Sequence, residues 1–415
     1  MSASTQSMYT KPFVLTTLAF FCFFTNVNAY NLLPLYLQGL GAQTGEIGTI
    51  MATFSVAAIL AQAITGRLLD RGWRKPCLLA AAALLTAVSA AFGMTTQLGW
   101  PLYVLRFLLG LSFAVYMTSS MTLIADLAPP TRRAEAVGIY GTGGLVAVAL
   151  GPAVGEFILG AGGFPAFFAA TVGVAAATVT LAALVPVPPI TPAPRGPRLG
   201  WKGGVPFLPV LLPAFQYGLA NVIVFVFLPP FARALELPRV GPFYIAYTGA
   251  AILVRFVGGG LADRIGRQRV IVPALGAMTA GILLCSGLHA TWLLMLIGVL
   301  NGAAQGFVMP AANALAFERA PSGRRGQAVA FYNGANLVGA MLGASGVGWL
   351  AQAVGYRPAF LFAGGVLALG SWAFWRQRKK ASSRLLRGPG EKVGGVDYKV
   401  LQASAAPFPA RREGV

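Results

Sequence analysis

Acidic residues, histidine and cysteine are scarce in this chain of 415 residues. It has 11 Asp and Glu residues, one His and three Cys, and only 10% of its residues are charged. A hydrolytic or metal-dependent active site needs a cluster of such side chains, and a disulfide framework needs paired cysteines. Cys22, Cys77 and Cys285 lie in separate apolar stretches. We therefore expect no enzyme activity, no catalytic residues, no cofactor, no metal site and no disulfide.

Long apolar stretches are what the chain has instead. Hydrophobic residues make up 56% of the sequence and the mean hydropathy is +0.70, which is outside the range of soluble domains. Stretches of about 20 apolar residues are long enough to cross a bilayer as helices. Twelve such stretches are present, at 13–37, 46–69, 76–96, 101–125, 136–160, 164–186, 206–230, 241–262, 270–288, 291–316, 327–351 and 357–375.

The basic residues that produce the net charge of +20 lie mainly on one side of these twelve segments. The loops on that side hold Arg67, Arg71, Arg74, Lys75, Arg132, Arg133, Arg195, Arg198, Lys202, Arg264, Arg267, Arg269, Arg324 and Arg325. The other side holds Arg233, Arg239 and Arg357. By the positive-inside rule we expect both termini in the cytoplasm. The positive charge then faces anionic membrane lipid, and we expect no nucleic-acid partner.

Pairs of similar residues recur 192 or 193 positions apart. Gly66-Arg67-Leu68-Leu69-Asp70-Arg71 corresponds to Gly259-Gly260-Leu261-Ala262-Asp263-Arg264. The remaining pairs are Gly110 and Gly302, Asp126 and Glu318, Arg132 and Arg324, Tyr140 and Tyr332, and Gly151 and Gly343. A constant offset indicates a duplicated bundle, which in membranes is typical of transporters.

A proline-rich stretch divides the duplicated halves. It cannot continue a helix and predicts a stiff, extended linker. Beyond Lys380 the sequence is rich in Gly, Pro, Ser and charge, which predicts disorder. The predicted parts are an N-terminal six-helix bundle at 1–186, a cytoplasmic linker at 187–205, a C-terminal six-helix bundle at 206–376 and a disordered basic tail at 377–415.

Twelve helices, a central linker and the paired Gly-x-Leu-Ala-Asp-Arg-x-Gly-Arg loops resemble the major facilitator superfamily over about residues 12–376. The resemblance implies an all-α membrane protein of two pseudo-symmetric six-helix bundles. It also implies a monomeric secondary active transporter that moves a small-molecule substrate by alternating access, coupled to protons, in a bacterial inner membrane.

The resemblance further implies a conformational latch in the two repeated loops. Asp70 would contact the start of the eleventh helix, near Gly326 and Gln327, because helix N-termini stabilise anions. Arg71 or Arg74 would pair with Asp126. The mirror set would place Asp263 at the start of the fifth helix and pair Arg264 or Arg267 with Glu318.

Two charges inside the predicted helices are candidates for proton coupling. Arg106, in the fourth helix, resembles the family's Arg-x-x-x-Gly element and needs a partner at its depth. Glu156, at a similar depth in the fifth helix, is expected to pair with it, as a proton site or as a structural ion pair. Glu156 follows Gly151-Pro152-Ala153-Val154-Gly155, a reduced form of the family's antiporter motif, which favours export.

The resemblance places the first, fourth, seventh and tenth helices around a central cavity. Polar residues suited to its lining are Asn26, Asn28, Tyr30, Asn31, Tyr116, Gln216, Asn221, Asn301, Gln305, Tyr332 and Asn336. Any one intramembrane amide can equally bridge two helices. Because the cluster contains no acid, a neutral or modestly polar organic solute fits it better than a strong cation.

Three functions remain compatible with these residues. Proton-coupled efflux of a drug or metabolite is the leading hypothesis. Facilitated or proton-coupled uptake is the alternative, and a transporter-like sensor that binds a solute without moving it is the third. An ion channel is disfavoured because the sequence has neither rings of charge nor a repeated filter.

Overall fold

The computed structural model describes residues 8–129, 132–186, 208–258, 260–319 and 325–386, and these are helical almost throughout. The first half contains α1 (Lys11–Ala29, extended through Tyr30–Leu32 to Leu33–Gly39), α2 (Thr44–Asp70), α3 (Arg74–Met94), α4 (Trp100–Leu127) and the stretch Arg133–Leu184, which holds α5 and α6. The second half contains α7 (Leu208–Val226, extended by Leu228–Ala234), α8 (Gly241–Gly258, followed by Leu261–Ile265), α9 (Arg267–Cys285), α10 (Thr291–Arg319), α11 (Arg325–Val354) and α12 (Tyr356–Leu386).

The stretch Arg133–Leu184 is too long for one crossing and reverses at Gly163. Gly163 has φ 67° and ψ −165°, a conformation that glycine adopts without strain. Pro165 follows in the first turn of α6, where a helix does not need its missing N–H. Eleven helices of the described residues are long and apolar enough to cross a membrane, and this one contains two spans. The prediction of twelve transmembrane helices is confirmed.

The helix contacts repeat between the halves. In the first half α1 packs on α5, α2 on α4, and α3 on α4 and α6; in the second half α7 packs on α11, α8 on α10, and α9 on α10 and α12. Each pair has its counterpart six helices later, so the predicted pseudo-symmetry is confirmed. Contacts between the halves are made by α2 with α11 and by α5 with α8, which are also equivalent pairs.

Repeated glycines make equivalent close contacts in the two halves. Gly110 of α4 lies against the backbone of Phe54 in α2, and Gly302 of α10 lies against the backbone of Tyr247 in α8. Gly151 and Gly343 correspond in the same way, packing α5 on α1 and α11 on α7. Small residues allow such close approach where lipid provides no hydrophobic force between helices. The sequence offset therefore reflects helix crossings shared by the two halves.

The predicted tail begins later than expected. The prediction of a disordered tail at 377–415 is wrong for residues 377–386, because α12 continues to Leu386. This extension has no helix breaker before Gly388, and helix formers such as Ala, Arg and Leu continue the span. The predicted linker at 187–205 and the rest of the tail lie outside the described residues, so their boundaries stay predictions.

We expect Gly151→Ala to destabilise the first half. A Cβ at this position would lie 2.5 Å from the backbone oxygen of Thr25 and 2.8 Å from the backbone nitrogen of Ala29, so α1 and α5 would have to separate. Overpacking of this kind costs about 1–3 kcal/mol. The matched control is Gly143→Ala in the same helix, where nothing lies within 4 Å of the added methyl group. Thermal unfolding of the purified proteins in detergent should give a lower midpoint for Gly151→Ala only; equal midpoints would contradict this packing.

Candidate functional site

Both predicted ion pairs within the halves are present in the structure. Nη1 of Arg74 lies 2.6 Å from Oδ2 of Asp126, and Nη2 of Arg267 lies 3.1 Å from Oε1 of Glu318. The two pairs occupy equivalent positions in the duplication. We name this side of the bundle the Asp70 end and the opposite side the Glu156 end. Each pair ties the loop at the Asp70 end to the neighbouring helix of its own half.

The contact predicted between the halves at the Asp70 end is not made in this conformation. Asp70 is exposed and forms no hydrogen bond or ion pair with the described residues, and Arg71 and Arg264 are exposed too. The side chains of Asp263, Gly326 and Gln327 lie outside the described part. Asp70 is therefore free to gain a partner in another conformation.

Glu156 has a different partner from the one predicted. Its two carboxylate oxygens accept hydrogen bonds from the backbone N–H groups of Val240, at 2.7 Å, and Gly241, at 2.6 Å. These groups lie at the start of α8, where the first N–H groups lack helical partners and the helix dipole favours an anion. The predicted pairing with Arg106 is wrong. Sequence position indicates the depth of a residue in the membrane but not the face of the helix on which its side chain lies. The side chain of Glu156 faces the other half.

Arg106 is held by an aromatic ring instead. Its guanidinium carbon lies 4.7 Å from the ring centroid of Phe54, and the side chain is 7% exposed. Its Nε and Nη1 atoms have no hydrogen-bond partner among the described residues. A desolvated cation over an aromatic face gains about 2 kcal/mol, which offsets part of its burial cost.

Neutral side chains join α2 and α11 at the Glu156 end. The backbone N–H of Gly45 donates to Oε1 of Gln352 at 3.1 Å, and Nε1 of Trp349 donates to Oγ1 of Thr49 at 3.1 Å. Gln352 also bonds Gln43. Together with Glu156, these contacts close the Glu156 end across both pairs of helices that connect the halves.

Several polar residues predicted to line the cavity converge in the second half. Nδ2 of Asn221 donates to Oη of Tyr217 at 3.3 Å, and Oη of Tyr247 donates to Oδ1 of Asn221 at 3.2 Å. Gln305 lies beside Tyr217, and Oη of Tyr332 lies 3.5 Å from the backbone oxygen of Met309. These side chains come from α7, α8, α10 and α11. The structure thus brings them into one cluster.

Other predicted cavity residues fasten helices within a half. Gln216 donates to the backbone oxygen of Leu367 in α12 at 2.8 Å, and the amide of Asn301 bonds its own helix and packs on Gly281 of α9. Both are buried against outer helices, so the prediction that they line the cavity is wrong. A buried amide must find a hydrogen-bond partner, which α12 supplies for Gln216 and the preceding turn of α10 supplies for Asn301.

The predicted cavity residues of the first half also fall into two groups, those that hold helices together and those that remain candidates for the lining. Asn26 and Tyr30 reach Thr171 of α6, and Tyr116 is fully buried, stacked 3.8 Å from Phe23. These three hold helices together, so their predicted place in the cavity lining is wrong as well. Asn28, Asn31 and Asn336 are partly exposed and remain cavity candidates.

An aromatic ladder in the first half was missed by the sequence analysis. Its ring centroids lie 3.8 Å apart for Tyr140 and Phe20, 5.2 Å for Phe20 and Phe24, 6.1 Å for Phe24 and Phe113, and 5.1 Å for Phe113 and Phe54. The only sequence signal was the run Phe20-Phe21-Cys22-Phe23-Phe24. A phenylalanine facing lipid and one facing a cavity look the same in a sequence.

Comparisons with known proteins agree with this architecture. The sequence profile of the Major Facilitator Superfamily matches residues 15–254 and 240–410. Multidrug resistance protein MdtG of Salmonella paratyphi C (strain RKS4594) is 26% identical over 393 residues, covering 87% of this chain and 95% of that protein. The protein of the same name from Dickeya zeae (strain Ech586) is 25% identical over 398 residues, covering 88% and 94%.

Solved transporter structures share the fold at low identity. A D-xylose-proton symporter superposes with a TM-score of 0.71 at 18% identity, covering 89% of this chain and 98% of that one. The nucleoside transporter NupG gives a TM-score of 0.68 at 15% identity, covering 89% and 99%. The described helices, their repeated contacts and the profile match give one conclusion: this multi-pass membrane protein belongs to the major facilitator superfamily of secondary transporters.

Proposed function

We propose that the protein is a proton-coupled exporter of a small organic solute in a bacterial inner membrane, with the Asp70 end in the cytoplasm. The excess of Lys and Arg in the loops of the Asp70 end supports this orientation. Export is supported by the Gly-Pro-x-x-Gly element of α5 and by the multidrug resistance relatives. Uptake stays the alternative, because the structural relatives include a D-xylose-proton symporter.

The observation that carries the coupling proposal is the double hydrogen bond from α8 to Glu156. Both carboxylate oxygens accept hydrogen bonds from the other half, and a proton on either oxygen would weaken this double contact because a protonated oxygen is a donor and a poorer acceptor. Linkage is reciprocal, and a proton that binds Glu156 therefore favours opening of that end.

In this proposal Asp70 stabilises the other state, in which the Asp70 end is closed. While the Glu156 end is closed, Asp70 is exposed and unpaired. When the Asp70 end closes, its carboxylate reaches the N-terminus of α11, as Glu156 reaches that of α8. The two carboxylates would then alternate, each capping a helix of the other half in one of the two states.

Glu156→Gln should abolish transport driven by a pH gradient and leave solute binding and counterflow nearly unchanged. Glutamine carries no charge and cannot bind or release the proton, but it keeps one acceptor oxygen for α8. The measurement uses proteoliposomes and the most stabilising solute from a thermal-shift screen of metabolites and drugs.

The matched control for this experiment is Glu46→Gln, which removes a carboxylate near the same end, at the start of α2. It should leave pH-driven transport intact. Concentration of solute against its gradient by Glu156→Gln would place the proton site elsewhere. Loss of binding in that variant would assign Glu156 a structural role.

Asp70→Asn should shift the protein towards the conformation seen here. The variant loses a charge that stabilises only the opposite state, and contacts of this type contribute about 0.3–2 kcal/mol, a severalfold change in a balanced equilibrium. Hydrogen–deuterium exchange should rise around residues 66–74 and fall at the start of α8. Asp263→Asn should have a smaller effect; unchanged exchange in Asp70→Asn would contradict the latch.

A further inference from the structure

Arg255 carries an unpaired positive charge where the two halves face each other. It lies one turn before the end of α8, in the half of the bundle nearer the Asp70 end. Its Nη1 lies 3.7 Å from the position of a Cβ on Gly141 in α5, so the guanidinium reaches across to the first half. Its Nε is buried and has no hydrogen-bond partner. Its one polar contact among the described residues is weak, from Nη2 to Sδ of Met309 at 3.7 Å.

No acid of the described side chains neutralises this guanidinium. Asp126, Glu135 and Glu318 are paired with Arg74, Arg132 and Arg267, and Glu156 binds the start of α8 at the far end. Three buried phenols, those of Tyr217, Tyr247 and Tyr332, lie near Arg255. A charge held inside a membrane without a partner is expensive and indicates a functional site. The guanidinium has N–H groups to donate to an anion, whereas the hydroxyls of Tyr247 and Tyr332 already donate to Asn221 and to the backbone oxygen of Met309.

The wall facing Arg255 is apolar and aromatic. Gly141, which the guanidinium approaches, follows Tyr140, the first ring of the ladder of the first half. Farther from the Asp70 end, the ladder continues to Phe24, Phe113 and Phe54, all partly exposed. The absence of a Cβ at Gly141 leaves the guanidinium room against α5. Arg255 on one half thus approaches α5 beside Tyr140, the first ring of the ladder on the other half.

The geometry points to a binding site for an amphipathic organic anion in this space. Its carboxylate or other acidic group docks on the guanidinium of Arg255, and its aromatic body packs on the partly exposed rings of Phe24, Phe54 and Phe113. This inference rests on the proposed transport function and names its substrate class. It replaces the neutral solute expected from the sequence, because the cluster contains an arginine without an acid.

Arg106 does not serve this role in the structure. It is buried beneath Phe54, and the ring covers the guanidinium that an anion would have to reach. Arg255 is the more accessible of the two and lies at the surface between the halves, so the two arginines give distinguishable predictions.

The test uses two acid–amide pairs as probes: naphthalene carboxylate with naphthalene carboxamide, and indole acetate with indole acetamide. Their affinities for the purified full-length protein are measured by calorimetry in detergent. We expect each acid to bind at least about tenfold more tightly than its amide, as charge-assisted bonds to a guanidinium require. Arg255→Gln should remove this preference, and Arg255→Lys should keep part of it. Arg269→Gln, an exposed arginine at the start of α9, is the matched control and should keep all of it.

Equal affinity of acids and amides, or no binding of any acid, would overturn the anion site. Loss of the preference in Arg106→Gln but not in Arg255→Gln would overturn its location. Short-chain phosphatidylglycerol, with phosphatidylcholine as its control, tests the lipid source of the same chemistry: binding that depends on Arg255 and displaces the acids would assign the site to a lipid headgroup instead. Binding in detergent needs no gradient, so failure of proton-driven export would leave these results standing.

Discussion

The carboxylate of Glu156 and the first N–H groups of α8 form the contact on which the closed Glu156 end depends. The first N–H groups of a helix inside a membrane protein need hydrogen-bond acceptors from elsewhere. The N–H groups of Val240 and Gly241 at the start of α8 find theirs in the carboxylate of Glu156, on the other half of the molecule. The hydrogen bonds between α2 and α11 at this end use neutral amides, hydroxyls and an indole, and Oγ1 of Thr44 in α2 donates to Oη of Tyr356 in α12. Among the described side chains, the carboxyl that hydrogen-bonds across this end is that of Glu156.

The duplication gives the two halves equivalent internal packing. Gly110 and Gly302, like Gly151 and Gly343, bring helix backbones together at equivalent crossings, so each half is packed tightly on itself. The ion pairs of Arg74 with Asp126 and of Arg267 with Glu318 hold the loops of the Asp70 end within each half. In the proposed transport cycle the two halves move relative to each other, with the aromatic ladder on one half and Arg255 on the other.

Sequence reasoning succeeded where a feature is local or repeated. Span length gave the twelve helices, the constant offset gave the pseudo-symmetry, and the resemblance to the family gave both ion pairs within the halves. It failed where the direction of a side chain decides the partner. Glu156 and Arg106 share a depth but face different neighbours, and Gln216 and Asn301 turn outward to α12 and α9. The ladder from Tyr140 to Phe54 was hidden because apolar rings carry no sign of which solvent they face.

The central claim is that the charge of Glu156 sets the balance between two states that close opposite ends. Spin labels at Met94 and Trp292 report the Glu156 end, and labels at Trp73 and Ile265 report the Asp70 end; all four side chains are exposed. Pulsed dipolar distances are measured as the pH falls through the range in which carboxylates titrate. The account predicts that the first distance lengthens while the second shortens, and that Glu156→Gln removes the pH dependence of both. Distances that stay fixed, or that lengthen together, would contradict it.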